Sequence, residues 1–375
     1  MQIKRWRQFD FVLLLAAAAL VAYGVAIIDS ATCGSPCVRL FPPTTWAVRQ
    51  MEYAVAGLAL LLAVTLIDYR VYRALAYPLF ACSLLCLVLV LLIGRGNEEY
   101  GARRWISLGF FDFQPSEITK VTMTLALGRW LGVDADMRPG LRRVAGSFGL
   151  MLAPVILIFL EPDLGTTVSY VVIWFAMLVA AGARPLYLGG LALCGLLSAP
   201  LGWLLLRDYM RQRIMTFFAV TMDPESDIFG EGYNILQARI SIGSGGMFGW
   251  GLGRGTQNQF DFLRIKHSDF IFSVLAEEMG FIGGVALFGL FILLLFRIAR
   301  AAERARDSFG RLVAFGIGAM LLFQVVANLG ANLTLLPVTG MPLPLVSFGG
   351  SALLTNFIAL GLIQSILVRR LKYRF

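Results

Sequence analysis

Apolar residues come in runs of about 17 or more along this chain, separated by short polar breaks, which is the pattern of helices long enough to cross a bilayer. The runs fall at approximately 11–29, 50–67, 74–93, 116–132, 144–160, 164–181, 186–206, 269–295, 312–336 and 351–368. They predict an all-α polytopic membrane protein with about ten transmembrane helices, forming a single domain over 1–375. The first run is too long for the core of a signal peptide, lacks a small-residue cleavage site and is followed by further spans, so it reads as a retained helix. One segment, 207–268, interrupts the alternation and is predicted to be a long loop before the eighth span.

Composition agrees: 58% of residues are hydrophobic and 15% charged, against roughly 45–50% and 25% in soluble domains. The net charge of +9 would raise the question of nucleic acid, but its placement answers it. Lys4, Arg5, Arg7, Arg70, Arg73, Arg138, Arg142, Arg143, Arg184, Arg297, Arg300, Arg304, Arg306, Arg311, Arg369, Arg370, Lys372 and Arg374 fall on one side of the spans. The short loops of the other side carry Arg39, Arg49, Arg95, Arg103 and Arg104. This asymmetry predicts that both termini are cytoplasmic and that 207–268 is extracytoplasmic, and it leaves no case for nucleic acid. The long loop is itself basic, with Arg207, Arg211, Arg213, Arg239, Arg254, Arg264 and Lys266, but long loops escape the positive-inside rule.

Two readings of that loop stand side by side. It is either a solvated connector or a surface that receives an anionic partner at the outer face of the membrane. Leu206, Met210, Ile214, Phe217 and Phe218 form a helical stripe beside Arg207, Arg211 and Arg213, as in a helix lying at the interface. "IGSGGMFGWGLGRG" follows, rich enough in glycine to bring backbone close to a ligand or to neighbouring helices. Cys33 and Cys37 in "CGSPC" lie in the first external loop, where a local disulfide or free thiols are both open. Cys82, Cys86 and Cys194 lie in spans and read as packing residues.

Ionisable groups inside or beside the spans are costly and therefore candidates for chemistry. In "FQPSEITKVTMT", Glu117, Lys120 and Thr124 share one helical face. Glu117 and Lys120 form either an ion pair that neutralises itself between helices, or a site in which Lys120 meets a phosphate and Glu117 positions it. Asp163 in "LEPDLGTT" is placed to cap a helix. Arg49 in "WAVRQMEY", and Arg103 and Arg104 beside Trp105 in "ARRWISLG", stand at the outer level, where interfacial anchors also occur. All belong to the external half of the membrane and point to a polar cavity opening outward. In "LRIKHSDFIFSVLAEEMG", Asp269 stands at the mouth of a span. On a continuous helix Asp269, Ser273, Ala276 and Gly280 share a face, whose small residues leave room for a ligand or a close helix. Glu277 lies about 12 Å deeper and reads as structural or tuning, while Glu278 points almost opposite. His267 is the only histidine and no G-x-S-x-G elbow exists, so a serine-hydrolase triad is poorly supported, and the same count excludes a histidine-based metal site. Carboxylates with Arg and Lys suit a phosphorylated, hydroxyl-rich substrate.

Five ordered stretches, "RRWISLGFFDFQPSEITK", "EPDLGTT", "GEGYNILQARISIGSGGMFGWGLGRGTQNQF", "HSDFIFSVLAEEMGFIG" and "PVTGMPLPLVSFGGSALL", resemble those of the SEDS (shape, elongation, division and sporulation) family, the polytopic peptidoglycan glycosyltransferases of bacteria. The last stretch is more similar to the rod-elongation members than to the division members. Ser268 stands in place of the family's usual threonine and keeps a hydroxyl, and Phe348 stands where tyrosine is common.

The resemblance implies polymerisation of lipid II, an undecaprenyl-pyrophosphoryl disaccharide-pentapeptide, into β-1,4 glycan strands at the outer face of the cytoplasmic membrane during elongation. It places the catalytic aspartate on Asp269 and substrate-binding cavity residues on Glu117, Lys120 and Asp163, with Arg49 and Arg104 matching less distinctive stretches. Chemically, Asp269 would take the proton of the acceptor hydroxyl, while Lys120, Arg49, Arg104 and a loop arginine would stabilise the departing diphosphate. A divalent cation, Mg or Mn, is an optional helper. The displacement would invert the anomeric centre. The implied partners are lipid II, membrane lipids and a class B penicillin-binding transpeptidase. A lipid II flippase and a non-catalytic scaffold for a penicillin-binding protein are the alternatives. The clustering of polar groups on the external side disfavours the flippase.

Overall fold

The computed structural model describes residues 8–33, 43–96, 103–109, 111–132, 139–223, 232–263 and 266–370. Nearly all of it is helical. Helices α1 (Phe11–Thr32), α2 (Thr45–Leu66), α3 (Tyr69–Ile93), α4 (Pro115–Leu131), α5 (Leu141–Leu160), α6 (Leu164–Ala180) and α7 (Pro185–Leu205) come first. Helices α8 (Asp208–Met222), α9 (Gly232–Ser244) and the short α10 (Thr256–Gln259) fill the following segment, and α11 (Ile271–Glu303), α12 (Ser308–Asn332) and α13 (Gly350–Val368) complete the bundle. Eight of these, α1, α2, α3, α5, α7, α11, α12 and α13, are long and apolar enough to cross a membrane. The chain is a multi-pass membrane protein. Helix α6 is shorter but apolar, and α4 carries Glu117, Thr119, Lys120, Thr122 and Thr124 in its interior-facing surface.

Local chemistry sets where the helices begin. Asp10, Asp68, Asp163 and Asp307 each accept a hydrogen bond from a backbone N–H in the first turn of α1, α3, α6 and α12, satisfying donors that the helix itself cannot. Pro115 opens α4, where its missing N–H costs nothing. Glu117 in the first turn of α4 and Arg129 in its last complement the helix dipole. Helices α4 and α13 are buried along most of their length and form the centre. Helix α2 packs along α13, α3 along α4, and α12 against both α6 and α11. Helix α7 instead turns Leu186, Leu193, Leu196 and Leu197 outward, as a peripheral helix in lipid does.

Three features depart from the sequence expectation. A small antiparallel hairpin pairs β1 (Ile106–Ser107) with β2 (Asp112–Phe113), so the fold is not purely α. The segment 207–268, which also read as a solvated connector, holds three helices among its described residues. The third is that the span from Asp269 is not a continuous helix. Helix α11 starts at Ile271 and is broken at Gly280, whose φ of 65° and ψ of −165° lie outside helical space.

The break explains the glycine-rich stretch. Carbonyls and amides released at the kink are taken up by that loop: the N–H groups of Trp250 and Gly251 donate to the carbonyls of Glu277 and Glu278 (3.1 and 2.8 Å), and those of Phe281 and Ile282 donate to Gly246 and Met247 (2.9 and 3.2 Å). Unpaired backbone groups inside a bilayer would cost several kcal/mol each. The two backbones touch so closely that a Cβ on Gly280 would lie 2.3 Å from the Gly249 nitrogen. The small residues after Asp269 therefore accommodate a neighbouring segment of the same chain.

Cys37 lies outside the described residues, and the choice between a disulfide with Cys33 and free thiols lies there with it. So do Arg39, the basic residues Lys4, Arg5, Arg7, Arg138, Lys372 and Arg374 of the charge asymmetry, and Arg264 of the long loop.

Candidate active site

Asp269 occupies a turn just before α11, and two distant motifs hold it there. Asn328 and Asn332 of α12 donate from their side-chain amides to the Asp269 carbonyl (3.0 and 2.8 Å). Asn328 also donates to the Met341 carbonyl (2.9 Å), and the Ser347 hydroxyl donates to the Ser268 carbonyl (2.6 Å). The Phe348 amide donates to the His267 carbonyl (3.0 Å). "HSD" is thus clamped by the "PVTGMPLPLVSFGG" segment. The His267 ring packs on Trp46 at a tilt of 34° with centroids 4.7 Å apart, and Phe348 meets Trp46 edge-on. The hydroxyl retained at Ser268 donates to Asp269 Oδ1 (3.0 Å).

The Asp269 carboxylate faces a cavity of about 140 Å³ lined by Arg213, Thr216, Asn234, Ile235, Phe270 and Val338. Arg213 and Val338 also line a second cavity of about 340 Å³, which contains Arg104 and Asp163 in otherwise largely apolar walls. The two share a wall and form one groove beneath α8. A Cβ on Gly340 would lie 3.7 Å from Arg213 Nη1 and 3.9 Å from Asp269 Oδ2. Acid and guanidinium therefore flank Gly340, whose φ of 70° favours glycine there. Burial raises the Asp269 carboxyl above the usual aspartate range, against the opposing pull of the Ser268 hydrogen bond, Arg213 and Arg104.

Arg104 is placed by the strand edge. Its amide donates to the Arg95 carbonyl (3.1 Å), next to the β1–β2 hairpin. The guanidinium reaches over the α5–α6 turn: Nε donates to the Glu161 carbonyl (3.2 Å), Nη2 to the Pro162 carbonyl and the Tyr209 hydroxyl, and Nη1 lies 3.7 Å from Asp163 Oδ2. Tyr209 of α8 also donates to the Pro162 carbonyl, and Arg213 lies over its ring at 5.6 Å. Asp163 caps α6 as expected and carries this second role as well. Glu161, buried beside them, is pushed up to about 8 by desolvation and by Asp163, with Arg104 opposing.

Of the residues expected in a substrate site, Asp269, Arg104 and Asp163 converge on the groove. Glu117 and Lys120 do not line it. Lys120 Nζ bonds Glu117 Oε1 at 2.8 Å, with side chains 1% and 4% exposed, behind Tyr170, whose hydroxyl donates to the Ser116 carbonyl (2.7 Å). Arg49 is exposed on α2, one turn from Trp46, and is also outside the groove lining. Arg213, Tyr209, Asn328 and Asn332 belong to the site without having been singled out for it. For Arg213 the signal was present: the amphipathic stripe 206–218 already marked α8 as a helix whose basic residues need a partner. Glu277 accepts the amides of Gln257 and Asn258 (2.8 and 3.3 Å) at the start of α10, a structural role. Glu278 is buried against the Ser30 hydroxyl (2.6 Å) and the Asn258 side chain (2.9 Å).

With this geometry in view, comparison with known proteins is decisive. The FtsW/RodA/SpoVE family model, described as a cell cycle protein, matches residues 10–372. The chain belongs to that family. It is 37% identical over 363 residues to the peptidoglycan glycosyltransferase MrdB of Escherichia coli, covering 96% of this chain and 94% of that one. It is 36% identical over 369 residues to a probable peptidoglycan glycosyltransferase FtsW of Trichlorobacter lovleyi, covering 96% and 94%. Among solved structures, it superposes with a TM-score of 0.79 and 34% identity on a chain from work on how a peptidoglycan synthase complex coordinates polymerization and crosslinking, covering 96% of this chain and 98% of that one. The rod shape determining protein RodA of Thermus thermophilus matches with a TM-score of 0.70 and 34% identity, covering 98% of each chain.

Proposed function

We propose that this chain is an inverting peptidoglycan glycosyltransferase of the bacterial inner membrane, polymerising lipid II into β-1,4 glycan at the outer face. The observation that carries this reading is a single groove with a carboxylate at one point and two guanidinium groups beside it. Transfer from a prenyl diphosphate sugar needs that pair. A base takes the proton of the acceptor's 4-hydroxyl as its oxygen bonds to the donor's anomeric carbon, and Asp269, its carboxyl raised above the usual aspartate range by burial, is suited to it. The bond from that carbon to the diphosphate breaks with its electrons passing to the leaving group, where Arg104 and Arg213 meet the charge. Single displacement inverts the centre. Diphosphate is a good leaving group, so no separate acid is required.

The walls fit the lipid as well. Val168, Leu206, Ile214 and Leu336 line the Arg104 cavity, and Phe323 connects it to an apolar cleft of about 510 Å³ along α12. A prenyl chain anchored by its diphosphate at Arg104 would run from the first into the second and on into membrane lipid. A divalent cation would be held by the diphosphate rather than by the protein alone: among the described residues no group of three or more His, Cys, Asp or Glu could hold one. A class B penicillin-binding transpeptidase is the partner this activity calls for, because nascent strands must be crosslinked.

The test is polymerisation by purified protein, alone and with a cognate transpeptidase, on lipid II, scored as glycan chain length. Asp269→Asn, similar in shape but unable to accept the proton as a base, should fold, keep the partner complex and make no polymer. Polymer from Asp269→Asn at the wild-type rate would remove the proposed base.

A further inference from the structure

Helix α8 passes over three cavities in turn. Its first turns, with Met210 and Arg213, roof the Arg104 cavity; Arg213 and Thr216 roof the Asp269 cavity; Val220 and Thr221 roof a third, of about 360 Å³. At 1.5 Å per residue Met210 and Val220 lie about 15 Å apart, with the base between them. The reaction as derived above leaves the third cavity without a role.

Its other walls are α9, through Ile235 and Arg239, and the end of α12, through Asn332 and Thr334. Two residues join it to the base. Ile235 lines both cavities, and Asn332 donates to the Asp269 carbonyl at 2.8 Å. Arg239 is exposed and forms none of the ion pairs or hydrogen bonds found among the described residues. It follows Ile235 by one helical turn, about 6 Å. Leu333, just past α12, lines the cavity and is an exposed apolar residue, as are Phe218 and Met222 on α8 and Ile240 on α9, close in sequence to the lining residues Val220, Thr221 and Arg239.

A transfer between two lipid-linked glycans must hold two anionic headgroups, one on each side of a single base. The donor side is occupied by Arg104 and Arg213. The geometry points to the third cavity as the acceptor subsite. It takes the diphosphate-linked saccharide whose terminal 4-hydroxyl reaches Asp269, with Arg239 on the acceptor's own diphosphate and the exposed apolar residues against its prenyl chain. The acceptor's O–H bond breaks with the proton going to Asp269, its oxygen bonds to the donor's anomeric carbon, and the donor's carbon–diphosphate bond breaks. The acceptor's diphosphate linkage stays intact, so Arg239 holds a charge that is not released. This assignment rests on the polymerase reading and adds which side each substrate enters.

The two substrates are separable in an assay of the full chain in detergent. A lipid-linked disaccharide with its terminal 4-hydroxyl blocked serves only as donor, so formation of tetrasaccharide bearing the blocked terminus can be titrated separately in that donor and in unblocked acceptor. Arg239→Ala should raise KM for the acceptor about tenfold or more, the scale of one lost charge-assisted contact, and leave KM for the donor within about twofold. Thr221→Phe, which fills the cavity without removing charge, should do the same, and Arg239→Lys should recover part of the loss. Arg104→Ala should show the opposite bias, toward the donor. Equal rises in both constants, or no rise in either with Arg239→Ala and a folded Thr221→Phe, would overturn the acceptor assignment while leaving the polymerase intact. Absence of product from the wild type would instead sink the polymerase reading itself.

Discussion

Lys120 and Glu117 offer a test in which stability and activity separate two roles. A cation that meets substrate must be reachable, whereas Lys120 is held by Glu117 at 2.8 Å with side chains 1% and 4% exposed. At an effective dielectric of about 20, unit charges at that 2.8 Å separation attract by about 6 kcal/mol, much of it offset by the desolvation of both groups. Glu117 Oε2 is buried without a hydrogen-bond partner, so the carboxylate already depends on Lys120. Lys120→Met alone strands that charge and should cost about 3–5 kcal/mol. Glu117→Met with Lys120→Met removes both charges and should return to within about 1–2 kcal/mol of wild type, recovering about 2–3 kcal/mol of the single-variant loss. The measurement is reversible unfolding in mixed micelles by added SDS, with polymerisation followed on the same preparations. The buried-pair reading requires the double variant to regain both fold and most activity. A double variant that is stable but inactive, or a Lys120→Met protein that loses activity with under about 1 kcal/mol of stability, would refute it and return Lys120 to the substrate.

Three further outcomes follow from the same structure. Because burial raises the Asp269 carboxyl and the base must be ionised, kcat/KM should fall as pH drops through a value above the usual aspartate range of about 4, and a pH–rate profile with no acid limb above that range would contradict it. Glu161, at about 8 when folded against 4.5 unperturbed, binds more protons folded than unfolded between those values, so stability should decline as pH rises through that window, by up to about 5 kcal/mol; Glu161→Gln should flatten the decline in a pH series of unfolding midpoints. Gly280→Ala places a Cβ 2.3 Å from the Gly249 nitrogen at a φ of 65°, and should destabilise by at least about 1–3 kcal/mol, read as a lower midpoint in thermal unfolding.

How far the site can be read in the chain depends on whether a residue's partners are local. Asp163 at a helix start is legible because capping is a matter of three residues, and the Arg104–Asp163 ion pair is then a short step from two charges at the same outer level. Asn328 and Asn332 are not legible: each is one polar residue in an apolar span, and only the fold shows that both point at the Asp269 carbonyl. Lys120 and Glu117 illustrate the reverse case. Their i, i+3 spacing admits an ion pair or a ligand site equally, and the choice depends on burial, which spacing does not encode. Arg213 is marked by the amphipathic stripe as a basic residue in need of a partner, and only α8 laid over the groove sets it apart from the other basic residues of that segment.

The segment 207–268 is best understood as part of the framework that holds the proposed site. A continuous helix from Asp269 to Gly280 would carry the carboxylate on a rigid rod along with the small residues below it. The break at Gly280 and the start at Ile271 separate a short inner piece, bearing the site, from the lipid-crossing piece after it. That inner piece is then fixed by the segment itself: the glycine-rich loop completes its backbone hydrogen bonds, Glu277 caps α10, and Glu278 bonds Asn258 and Ser30. The same segment supplies the roof through α8 and Arg213. Its positive charge and its glycines thus have separate explanations, the first in the anionic substrates proposed for the groove and the second in a helix interrupted at Gly280.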